Sequence, residues 1–167
     1  MEKLNSFPLV LVCLCLINCT INGLTNDYGK LSEDQKSMIS QLKSFENLEN
    51  EKIYIVNSNQ LKSEIKNYPK AIVYVFTNGC TTKYCLPINV YKSYAETNAY
   101  KLFLVMNGYS KLNETLDQRA EIPYFSIDNE YYGVSNRNKY STFFENELDG
   151  FTKRNEAQRL SGKSFLF

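Results

Sequence analysis

Residues 71–76 read Ala-Ile-Val-Tyr-Val-Phe, an apolar run with no polar residue to break it. In a strand, successive side chains point to opposite faces. An alternating strand can face water on one side, but this one has two apolar faces and needs cover on both. That points to a central strand with helices packed on each side of its sheet, an α/β architecture.

The chain around this strand alternates in the way such a sheet requires. A short strand is expected at 53–56, then a helix over 61–67 that Tyr68-Pro69 ends, because the residue before a proline avoids helical angles. Beyond 71–76 the pattern predicts a helix at 88–97, an apolar strand at 102–106 and a helix near 112–120. Pro123 precedes a strand at 124–127, Asp128-Asn129-Glu130 reads as a hairpin turn into a strand at 131–134, and a helix over 140–148 ends at Gly150. Upstream, Ser32-Glu33-Asp34-Gln35 resembles a capping box, with Met38, Ile39, Leu42 and Phe45 following at helical spacing. No internal repeat competes with this order.

Composition narrows the chemistry. The chain has 167 residues, enough for one ordinary domain. Lys and Arg total 19 against 18 Asp and Glu, so the net charge of +1 gives no field for attracting nucleic acid, and none is expected as a partner. There is no histidine, which excludes Ser-His and Cys-His catalysis and His-ligated metals. Two thiolates could hold Cu(I) or half a zinc site, but without histidine or a third clustered cysteine that set is incomplete; neither metal nor cofactor is expected. The many tyrosines and phenylalanines read as core and strand residues. Asn113-Glu114-Thr115 matches a glycosylation sequon, a pattern common by chance.

The amino terminus reads as a targeting segment. Lys3 supplies a positive end and 7–17 (FPLVLVCLCLI) is apolar throughout, yet too short for the roughly 20 residues that span a bilayer. It runs into Leu16-Ile17-Asn18-Cys19, which resembles a bacterial lipobox, with Asn18 where a small residue is usual. That resemblance implies a signal peptide over 1–18, lipid on Cys19, a flexible polar tether over 19–30, a domain over 31–150 and an unassigned tail over 151–167. The protein is then exported and held on a bacterial membrane facing the periplasm. Cys13 and Cys15 leave with the signal and Cys19 carries lipid, so Cys80 and Cys85 remain, in a compartment where two nearby thiols can keep a disulfide.

Positions i and i+5 of a regular helix are too far apart for a disulfide, so such a bond requires a non-helical loop between Cys80 and Cys85. Pro87 suits the first turn of a helix and would let that helix begin near Cys85. Thr77 to Cys85 follows a strand at the sheet's carboxyl edge, where α/β proteins bind ligands. A thiol near a helix N-terminus has a stabilised thiolate, and Lys83 could add to that effect. Exchange then needs an exposed attacking thiolate and a second thiol to resolve the mixed disulfide. Cys80 suits the first role and Cys85 the second, although Cys85, nearer the helix, could exchange roles with it.

With the strand-then-cysteines unit AIVYVFTNGCTTKYC, Ile122-Pro123 before a strand and a terminal hairpin with its helix, residues 51–150 resemble the thioredoxin family. The resemblance implies a thioredoxin-like fold, a central mixed sheet flanked by helices. It also implies thiol-disulfide exchange by Cys80 and Cys85 with partner protein thiols or disulfides. Pro123 would be cis beside the cysteines, and Thr77, Gly79 and Ile122 would contact the substrate. Two departures stand out: C-x4-C replaces C-x-x-C, and Tyr74 occupies the strand where thioredoxins carry a buried acid. Locally, TNGCTTKYC also resembles the Cys segment of peroxiredoxins of the bacterioferritin-comigratory type, which implies a thiol peroxidase. Val73 stands where those enzymes have proline, and no arginine is recognisable as their peroxide-activating one. A non-catalytic binding module with a structural disulfide is the third expectation.

Overall fold

The computed structural model describes residues 24–80, 85–152 and 164–167. Its centre is β3 (Ala71–Phe76), buried at every position as its two apolar faces demand. Five further strands complete the sheet: β1 (Ile39–Gln41), β2 (Ile53–Val56), β4 (Lys101–Met106), β5 (Tyr124–Ile127) and β6 (Ser164–Leu166). They lie in the order β1-β2-β5-β4-β3-β6. All neighbours are parallel except β6, which runs antiparallel to β3 with Phe165 opposite Val73. The chain is thus an α/β protein built on a mixed sheet flanked by helices.

Alternation along the central strands sorts the core into two layers. Val73, Val75, Phe103, Val105, Phe125 and Ile127 face one way, under α2 (Ser58–Ile65) and α6 (Arg137–Leu148). Tyr74, Phe76, Leu104, Met106 and Tyr124 face the other, under α3 (Ile88–Thr97) and the single turn α4 (Leu112–Leu116). On α6 the buried residues Tyr140, Phe144 and Leu148 recur every fourth position and form one apolar stripe. Burial of each contributes roughly 1.5–3 kcal/mol. Asn57 and Asn136 cap α2 and α6 through side-chain oxygens that accept the amides of Gln60 and Lys139.

Four expectations change. The Ser32 capping box forms, but α1 (Glu33–Ser37) stops after one turn and Ile39–Gln41 becomes an edge strand. Leu42 and Phe45, predicted on that helix, reach the core from the following loop, where Phe45 packs on Phe103 and Phe125. The hairpin is absent. The Asp128 side chain accepts the Tyr131 amide and Gly133 closes the turn at φ 66, which makes a short helix α5 (Asn129–Tyr132) of the predicted second strand. Part of the tail, Ser164–Leu166, supplies the antiparallel edge strand instead. The predicted tether is docked over its described part: Asn26 O accepts the Tyr109 amide at 2.7 Å and Leu24 O that of Arg137 at 2.9 Å. The predicted signal peptide and Cys19 lie outside the described residues.

Candidate redox site at the carboxyl edge of the sheet

Where β3 leaves the sheet its loop is pinned from two sides. The buried Asn78 donates from Nδ2 to Gly108 O at 2.7 Å, and its Oδ1 accepts from Thr115 Oγ1 at 2.7 Å. One side chain therefore fixes the loop to both the loop after β4 and α4. Beside it, Asn107 Nδ2 donates to Thr77 Oγ1 at 2.9 Å. Gly79 follows at φ 64, a left-handed conformation that favours glycine. A Cβ there would run into Lys111 Cδ and lie 2.7 Å from Glu114 Oε2, so the residue is also glycine for space.

Cys80 comes next, exposed, and a disulfide joins it to the half-buried Cys85 across 5.9 Å between Cα atoms. Closing so short a loop stabilises the fold by about 2 kcal/mol on the chain-entropy account. Residues 81–84, Lys83 among them, lie outside the described residues. Pro87 sits at the N-cap of α3, just outside the first turn in which it was expected. The free amide of Ile88 is satisfied by Gln118 Oε1 at 2.9 Å. Cys80 and Cys85 open on a cleft of about 100 Å³ whose walls include Tyr74, Thr77, Glu114 and Gln118.

Tyr74, a departure from the resembled family's buried acid, is buried. Its ring stacks on Tyr91 at 3.8 Å between centroids and on Phe76 at 5.5 Å. Burial, then the hydrogen bond to Tyr91, pushes its phenol far above the usual range, so it remains neutral and takes no proton from a thiol near neutral pH. Glu114 is the carboxylate among the lining residues, ion-paired with Lys111 at 3.2 Å.

Of the predicted site residues the structure gathers Thr77, Gly79, Cys80 and Cys85 and leaves Ile122 and Pro123 elsewhere. No described peptide bond is cis, so Ile122–Pro123 is trans. Register explains the separation: Tyr124 pairs with Leu104 and Leu104 with Tyr74, which puts Pro123 level with Val73. That is on the order of 13 Å down the strands from Thr77, at about 3.3 Å per residue, and two strands across. The start of a strand reaches its neighbour's carboxyl end only when the two are antiparallel, and β5 is parallel to both its neighbours. Ile122 and Pro123 instead border a hollow of about 200 Å³ with Tyr68, Tyr100 and Phe103. Glu114, Thr115 and Gln118 were missed as site residues. Their only local signal, the Asn-Glu-Thr triplet, pointed to glycosylation.

Fold and site together define an α/β protein with a disulfide at the carboxyl edge of its sheet, held in a loop that one buried asparagine anchors. No family model, curated protein or solved structure matches the chain.

Proposed function

We propose that the protein is a thioredoxin-like, exported and lipid-anchored thiol-disulfide exchange protein that acts through Cys80 and Cys85 on thiols or disulfides of a partner protein. The observation that carries this reading is the place of the disulfide, just past the central strand and before α3, in an open cleft. A bond needed only as a staple gains nothing from such access. The exposure of Cys80 and the partial burial of Cys85 support attack by Cys80 and resolution by Cys85. Leu86, next to the disulfide, and Val90 and Tyr94 on α3 are exposed and support contact with a protein substrate. Glu114 is the cleft's candidate base for the incoming thiol. The peroxidase alternative has less support, because no arginine is among the described lining residues. Lipid on Cys19 belongs to the proposal and is tested by detergent-phase partitioning of the wild type and Cys19→Ala.

The deciding experiment is the reduction potential of the pair in glutathione or dithiothreitol buffers, followed by trapping with Cys85→Ala. A potential between about −300 and −100 mV, with mixed disulfides on Cys80, is expected. A potential below about −300 mV identifies a structural bond and overturns the exchange reading in favour of a binding module.

A further inference from the structure

A second, larger crevice of about 340 Å³ opens at the same edge of the sheet, with Thr77 and Lys111 in its lining. We propose that it binds a small carboxylate, seated on the guanidinium of Arg137. This inference does not rest on the exchange reading, since it uses neither cysteine.

The crevice is built by the amino-terminal segment lying across the ends of β3 and β4. Asp27, Lys30, Thr77, Tyr109, Lys111 and Arg137, the last from the start of α6, line it. Gly108 lies against the arginine stem: a Cβ there would stand 3.1 Å from Arg137 Cδ, so the arginine side chain would have to give by a few tenths of an ångström. The space corresponds to roughly ten waters at about 30 Å³ each, room for a small organic acid. It also lies at the carboxyl ends of strands, where α/β sheets collect ligands.

Charge selects the ligand. Lys30 pairs with Asp27 at 2.9 Å and Lys111 with Glu114 at 3.2 Å. Arg137 has no carboxylate partner among the described residues; its Nη1 reaches only Ser110 Oγ, at 3.5 Å. Its Nε is buried with no hydrogen-bond partner. Two carboxylates against three cations leave one positive charge, on a guanidinium with no carboxylate partner among the described residues. A planar monoanion that accepts from the two Nη atoms in a fork satisfies that charge. A carboxylate is such a group, and a phosphate dianion would carry more charge than the crevice offsets.

The test follows the Arg137 Nε–Hε resonance of the full-length chain in heteronuclear NMR. The probes are acetate, inorganic phosphate and chloride, added at constant ionic strength. Acetate should shift the resonance saturably and chloride should not. Arg137→Gln should weaken acetate binding at least about tenfold, and Lys111→Gln and Gly108→Ala by about threefold each. If Arg137→Gln does not fold, Arg137→Lys decides, because it keeps the charge, loses the fork and should still bind at least about fivefold more weakly. An equal response to chloride, tighter binding of phosphate, or variants that bind acetate like the wild type would overturn the proposal.

Discussion

Replacing Asn78 with alanine tests how the cysteine loop is held. The truncation removes a donor to Gly108 O and an acceptor for Thr115 Oγ1, both at 2.7 Å and buried. It leaves a carbonyl and a hydroxyl unsatisfied, each costing about 1–3 kcal/mol. The expected loss is about 3 kcal/mol, a large part of a typical 5–15 kcal/mol stability, with a fall in Tm on the order of 10 °C. Thr115→Val breaks only the second bond and should cost about 1–2 kcal/mol. The double variant should be less destabilised than the sum of the singles by about 1 kcal/mol, because Asn78 and Thr115 share one contact. Urea denaturation followed by far-UV circular dichroism gives all four values. The loss should be equal with the disulfide intact or reduced, since both hydrogen bonds lie outside the loop it closes. An Asn78→Ala cost below about 1 kcal/mol, or strict additivity, would refute the pinning of the loop by this side chain.

Gly79→Ala should cost about 1–2 kcal/mol for left-handed backbone and more for the collision with Lys111, whose own Cβ lies 2.9 Å from the added methyl. Lys111 itself has φ 55, so Lys111→Gly should recover the collision part, read from urea midpoints; no recovery would place the strain elsewhere. At high pH stability should fall. Burial raises the Tyr109 phenol to about 12, and burial likewise raises those of Tyr132 and Tyr140. The unfolded chain loses these protons near pH 10 while the native protein keeps them, so the contribution is complete below about 10 and is lost as pH rises through about 12. The slope in that window is about 1.4 kcal/mol per pH unit for each such tyrosine, and Tyr109→Phe should flatten it by one such increment in urea titrations at pH 9 to 11.5. An unchanged slope would show that Tyr109 titrates alike in both states.

What was legible in the sequence follows from how local each signal is. Strands β2, β3 and β5 and helix α3 stand where the apolar runs and prolines place them, because two-sided burial requires continuous apolar sequence and Pro69, Pro87 and Pro123 punctuate it. The edge strand β1 carries Ser40 and Gln41 and is defined by its pairing with β2, which no window of sequence contains. Residues 128–134 carried two compatible readings. Asp-Asn before aromatic residues suggests a hairpin, yet an N-cap aspartate and a glycine at the C-cap also bracket a helical turn. The antiparallel place beside β3 went to Phe165 and its neighbours, distant in sequence, and the competing strand was not needed there.

The same division runs through the site. Cys80 and Cys85 were legible because a chain without histidine has little other chemistry and the other cysteines lie in the amino-terminal segment, and Thr77 and Gly79 because they adjoin Cys80. Pro123 was drawn in by a resemblance, a proline opening a strand, that places it beside the cysteines only if its strand runs antiparallel to its neighbours. β5 is parallel to β4, so the proline begins its strand at the opposite end of the sheet, and the loop after β4 with α4 takes its place beside the cysteines. Glu114, Thr115 and Gln118 reach the cleft because Asn78 ties α4 to the end of β3. The wall beside Cys80 is therefore made by α4 and the turn after it, through Glu114, Thr115 and Gln118, and not by the proline that the resemblance favoured.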